Sequence, residues 1–409
     1  MTAEHNQNNP TPAHKKHMRF HKAAIVCPSC FVMGITTSSL NFALVFYSHD
    51  KFGANAFQAS LLCSLYSLAY LISCMVVGKF FQNLPPYKSL LIGISGLLIG
   101  MILLLMAPTL KFAYVTHLLN GCSMAFYWPM LMGWLSIGME GKQLSRISSI
   151  FNFSWSTGTI IAPFLAGLLS DINAAYPIYA CIAFCTVNLI YVAIAGAHAD
   201  EAPPKPKTSN STTVAATAPA SRSPLIRFPS WIGVLCAWLP VGFLLYAYPL
   251  VAEKTLGFSR HHVGNLLLVR ALLTTLAMSA MGFFQFWQFK YWQLVAGHAI
   301  LALTTLLFGF AKGTAAILVL MAVTGIFNAH AYTNSMFHGI SGSTNRTSRM
   351  AAHETLLSVG TVLGGALSGH IFVKTDSLRS CAMVIAILTS TAIIVDIAFW
   401  IVAKRTNQV

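Results

Sequence analysis

The chain has 409 residues, 56% of them hydrophobic and only 9% charged, with a formal net charge of +15. Soluble domains carry about 25% charged residues, so this composition excludes an ordinary water-soluble fold. The basic excess is not the mark of a nucleic-acid binder, because it is spread over short loops between apolar segments.

Residues 1–22 form a polar N-terminal tail with Lys15, Lys16, Arg19 and Lys22, and no signal-peptide pattern. Twelve apolar runs follow, each about 20 residues long and able to cross a bilayer as a helix. The first six lie at roughly 23–47, 56–79, 88–108, 112–136, 147–170 and 175–197. The other six lie at roughly 229–252, 262–285, 291–311, 314–338, 350–373 and 379–403. Between the two sets, residues 198–228 are rich in Pro, Ser, Thr and Ala and read as a flexible linker. The chain thus divides into a six-helix bundle at 23–197, the linker, a second bundle at 229–403 and a tail at 404–409. Cys27 and Cys30 form a Cys-Pro-Ser-Cys run inside the first span, where they read as small apolar residues. No disulfide framework, metal site or cofactor motif is expected.

Sorting the Lys and Arg residues outside the spans by loop gives 17 on the side of the termini and 7 on the other. By the positive-inside rule both termini face the cytoplasm, and so does the linker.

The halves repeat one another. Gly53 and Gly257, Gly78 and Gly282, and Gly121 and Gly325 are each separated by 204 residues, and Gly158 and Gly360 by 202. The run 158–167, Gly-Thr-Ile-Ile-Ala-Pro-Phe-Leu-Ala-Gly, faces 360–369, Gly-Thr-Val-Leu-Gly-Gly-Ala-Leu-Ser-Gly. This parallel six-plus-six repeat with a cytoplasmic linker resembles the major facilitator superfamily over almost the whole chain. Its local motifs match unevenly. The loop after the second span keeps Gly78 and Lys88 but has Gln82 where the family carries an acid. Gly158, Ala162, Pro163, Ala166 and Gly167 follow the fifth-helix motif common among antiporters, with two Gly-to-Ala changes. In span four, His117 stands where drug–proton antiporters tend to carry Arg. The resemblance implies two six-helix bundles related by a pseudo-two-fold along the membrane normal. Substrate would then bind between them near the midplane.

Three charged residues fall inside spans, where insertion costs about 2.5–3.5 kcal/mol each. Arg270, in span eight, has no acid near it on its own helix, and its planar fork suits a carboxylate or phosphate. An interdomain ion pair or carbonyl clamp is the alternative. Glu354 begins a stripe on span eleven with Ser358, Thr361, Gly365 and Ser368, opposite Leu356, Leu363 and Leu367. The same stripe on span five runs through Asn152, Ser156, Thr159, Pro163 and Ala166. Glu354 reads either as a proton-coupling or gating group, or as an anchor near the interface stabilised by Arg349. Asp396, in span twelve, reads as structural. The resemblance assigns the cavity lining chiefly to spans one, four, seven and ten. Asn41, Tyr127, Asn328 and Tyr332 are the polar candidates on three of these, with Asn152 on flanking span five.

The expected function is secondary active transport of a small organic solute, anionic or zwitterionic, by alternating access and with proton coupling as an option. The chain has no nucleotide-binding motif that would supply ATP drive. A multidrug or hydrophobic-solute exporter is the alternative, and a ligand sensor without flux is a third reading. No constellation for enzyme chemistry is present. The expected partners are a small-molecule substrate, protons and lipid, with no nucleic acid and a monomeric chain. Compact loops suit a bacterial inner membrane.

Overall fold

A computed structural model describes residues 22–81, 84–136, 141–197, 224–341 and 346–406. The protein is all α. Twelve membrane crossings form two six-helix bundles, and among the described residues eleven uninterrupted spans are long and apolar enough to cross a membrane. The N-terminal bundle comprises α1 (Lys22–Phe52), α2 (Ala56–Phe80), α3 (Pro86–Leu105), α4 (Leu110–Met124), α5 (Trp128–Ser136), α6 (Gly141–Ile172) and α7 (Tyr176–Ala197). The C-terminal bundle comprises α8 (Arg227–Gly242), α9 (Tyr248–Leu256), α10 (Arg260–Phe283), α11 (Tyr291–Phe308), α12 (Thr314–Ile340), α13 (Arg346–Thr375) and α14 (Leu378–Arg405). The linker segment 198–223 and the Gln82 position lie outside the described residues.

Two crossings are not the straight helices that the sequence suggests. The fourth breaks between α4 and α5, where Phe126 and Tyr127 donate to carbonyls three residues back, at 3.1 and 3.0 Å. Pro129 has no N–H to give Ala125, and it disfavours helical backbone at Trp128. In the seventh crossing, Phe243–Ala247 is a π-helical turn between α8 and α9. Pro249 cannot donate to Leu245 and its ring crowds that carbonyl, so the turn widens and Tyr248 donates five residues back to Phe243 instead.

The repeat is visible in the geometry. Gly53 and Gly257 end equivalent helices with φ of +66° and +67°, a left-handed conformation that glycine adopts without a Cβ penalty. Asn55 and Ser259, also 204 residues apart, cap the next helices, α2 and α10, through side-chain oxygens that accept from Gln58 N and His262 N. A Cβ on Gly121 would strike the carbonyl oxygen of Tyr66, and one on Gly325 the carbonyl oxygen of Arg270. Tyr66 and Arg270 are therefore equivalent positions of the two bundles, again 204 residues apart.

The bundles meet through α6 against α10 and α2 against α13. These seams are tightest away from the face that carries Lys22 and Arg405. At that far face Arg260 of α10 grips Asp50 of α1 with two hydrogen bonds, 2.7 and 2.8 Å, and reaches Glu253 at 3.0 Å. Asp171 of α6 accepts the backbone N–H groups of Arg260 and His261 at 2.8 and 3.1 Å, so one bundle caps a helix of the other.

Candidate functional site

The stripe that leads from the terminal face inward is the one expected on α13. The Thr361 carbonyl lies against Gly242 and Gly365 against the Tyr246 ring, while Leu363 and Leu367 are exposed on the other side. Small residues are required here because the two backbones approach within side-chain distance. At the terminal-face end of this stripe stands Glu354, exposed and, among the described residues, without a hydrogen bond or ion pair. It is close enough to Tyr70 and Cys74 of α2 and to Tyr332 of α12 to interact electrostatically with each. Arg349 does not pair with it; that guanidinium donates to the Gly339 carbonyl at 3.1 Å.

Aromatic rings pack on one another in both bundles. Tyr332 packs on Trp238 and His353, with ring centroids 5.8 and 4.8 Å apart. The His353 Nδ1 is held by Ser335 Oγ at 2.9 Å, so it is structural in this arrangement. Tyr66 stacks on His117 at 5.3 Å, and Trp128 meets Trp155 edge-on at 6.5 Å. Tyr246 joins the bundles: its hydroxyl lies 3.3 Å from Ser67 Oγ, and its carbonyl accepts from Ser60 Oγ at 3.1 Å.

Arg270 lies deeper, with 9% of its surface accessible, and its Nε is buried with no acceptor. No acid or carbonyl is paired with its side chain among the described residues. The ion pair or carbonyl clamp weighed for it is absent there. One turn past Gly325, which seats the Arg270 carbonyl, Asn328 is also buried with both amide atoms unpartnered. Asn152 is exposed on α6. Asn41 donates to the Thr37 carbonyl at 2.9 Å, and its Oδ1 is buried and unpartnered.

Tyr127 stands apart from this group. It is fully buried inside the N-terminal bundle, with its hydroxyl 2.7 Å from Ser29 Oγ. The break at 125–127 is the reason: a helical face extrapolated from Asn120 and Ser123 does not continue through it. Asp396 is buried against His298 at 2.6 Å, and the imidazole fills the notch over Gly233.

Tyr66, Tyr70, Trp238 and Tyr246 were not singled out by the sequence. Tyr66 was reachable by applying the 204-residue offset to Arg270, and Tyr70 follows one helical turn later on the same face.

A sequence model of the Major Facilitator Superfamily matches residues 26–287. The chain belongs to this superfamily. No curated protein matches the sequence. Solved structures share the superfamily fold at low identity. The nucleoside transporter NupG is 13% identical with a TM-score of 0.72, over 93% of this chain and 99% of that one. A bacterial homologue of the human lysosomal transporter Spinster, inward-facing and unoccupied, is 12% identical with a TM-score of 0.74, over 94% and 97%. A POT-family transporter in complex with a thioalcohol-conjugated peptide is 10% identical with a TM-score of 0.76, over 94% and 96%. This major facilitator protein is a multi-pass membrane transporter and not an enzyme.

Proposed function

We propose that this major facilitator protein moves a small anionic or zwitterionic organic solute by alternating access, with Arg270 as its fixed anion-binding group. The observation that carries the reading is a guanidinium inside a membrane span, with its Nε buried and no acid or carbonyl paired with it among the described residues. A buried cation without a counter-charge is costly, and such residues are retained where a ligand supplies the missing charge. A carboxylate or phosphate fits the guanidinium fork through two parallel hydrogen bonds. Asn328, Tyr332, Asn152 and Asn41 add hydrogen-bonding groups along the approach. Glu354, accessible and unpaired, exchanges a proton or a cation with the open side.

Alternating access fits the distribution of contacts. The Arg260–Asp50 pair and the Asp171 cap close the far end, while Glu354 and Asn152 stay exposed toward the other. With both termini in the cytoplasm, as the loop charges favour, this is an inward-open state. The chain acts as a monomer in a bacterial inner membrane.

The test is a thermal-stabilisation screen of the purified protein against small organic anions, cations, sugars and lipophilic drugs, with Arg270→Ala alongside. Ligands that bind only the folded state raise apparent stability by mass action. Anions stabilise the wild type and not the variant if the reading holds. Equal stabilisation of both by neutral or cationic compounds refutes it. That outcome favours the second reading, an exporter of hydrophobic solutes, which the rings of Tyr66, Tyr70, Trp238, Tyr246 and Tyr332 support.

A further inference from the structure

In the C-terminal bundle two charges of opposite sign, Arg270 and Glu354, have no partner among the described residues, and their spacing constrains a ligand that meets both. Tyr66 and Arg270 are repeat-equivalent, each with its carbonyl seated against a glycine of the neighbouring helix. An axis along the membrane normal keeps equivalent residues at one depth. From Tyr66, Tyr70 and Cys74 lie one and two turns nearer the terminal face, about 6 and 12 Å at a rise of 1.5 Å per residue. On α12, Tyr332 lies seven residues past Gly325 toward the same face, about 10 Å, and its ring packs on His353 beside Glu354, so the Glu354 carboxylate sits about 10 Å from the Arg270 level along the normal. In the plane of the membrane α12 packs against both α10 and α13, which share no substantial contact with each other. A compact ion therefore reaches one charge and leaves the other bare.

The surroundings of Glu354 are chemically specific. Among the described residues no Lys or Arg pairs with this carboxylate, which leaves it free to hold an ammonium group. Building on the anion-binding reading of Arg270, we propose that the substrate is an elongated zwitterion. Its ammonium end is held by Glu354 and its carboxylate by Arg270, about 10 Å away. A single ligand of that length neutralises both unpaired charges at once, which neither a simple anion nor an α-amino acid does.

Oligoglycines serve as a molecular ruler, because an extended chain adds about 3.5 Å per residue between amine and carboxylate. Thermal stabilisation of the purified full-length protein would be titrated with glycine, diglycine, triglycine and tetraglycine. N-Acetyltriglycine, which lacks the amine charge, and triglycinamide, which lacks the carboxylate, are the controls. Triglycine or tetraglycine should bind the wild type about tenfold more tightly than N-acetyltriglycine, the gain from one charge-assisted contact. Glu354→Gln should lose that gain, binding triglycine no more tightly than N-acetyltriglycine, and Glu354→Asp should keep part of it. Melting temperatures without ligand check that the variants fold. The proposal is overturned if triglycine and N-acetyltriglycine bind equally, if glycine matches the longer probes, if Glu354→Gln keeps the preference, or if no probe binds. Failure of the Arg270 reading looks different: Arg270→Gln would then bind N-acetyltriglycine no more weakly than the wild type.

Discussion

At matching positions the N-terminal bundle carries Tyr66 and Asn152 where the C-terminal bundle carries Arg270 and Glu354. The backbones around these positions are built alike, with glycines pressed on the same carbonyls, helices ended by left-handed glycines and caps at equivalent residues. A neutral residue therefore satisfies the fold at each of the two sites. The charges in the second bundle are additions that the architecture does not need, and the buried one, Arg270, brings a desolvation cost. The His298–Asp396 pair, also confined to the C-terminal bundle, is different because each partner is held by the other.

That contrast can be broken from its most stabilising member downward. Asp396→Ala leaves a buried His298 nitrogen without its partner and opens a small cavity, and it should lower stability by about 2–3 kcal/mol, read as a fall in melting temperature. Gly121→Val and Gly325→Val should each cost about 1–3 kcal/mol by driving a side chain into the Tyr66 or Arg270 carbonyl. Similar losses at the two sites would confirm that the bundles are interchangeable there, whereas a loss at one alone would end the equivalence. Arg270→Leu should abolish anion binding while leaving the unliganded melting temperature unchanged or higher, since it removes an unpaired charge. A marked destabilisation would instead assign Arg270 to the scaffold. The smallest effect is expected at the caps: Asn55→Ala and Ser259→Ala should each cost about 1 kcal/mol, measurable by thermal or denaturant unfolding.

Apolar run length and the 204-residue offset made the all-α repeat legible in the sequence, since both depend on local composition. The stripe from Glu354 to Ser368 was equally legible, because small residues at helical spacing record a close backbone approach. Tyr127 was not, because Pro129 interrupts the helix whose periodicity placed it. Nor was the partner of Asp396, because His298 lies 98 residues away on a different helix and only packing brings them together. Aromatic residues such as Tyr246 and Trp238 carried no distinguishing signal among so many apolar positions. Their place at the seam depends on the π-helical turn and on how the bundles meet.

The central claim is that Arg270 binds the anionic group of a transported solute. Counterflow in proteoliposomes tests it most directly, using the anion that best stabilises the purified protein and comparing wild type with Arg270→Leu. The wild type should exchange, and the variant, still melting at the wild-type temperature, should not. Equal exchange by both proteins, or binding by the wild type without exchange, would contradict it.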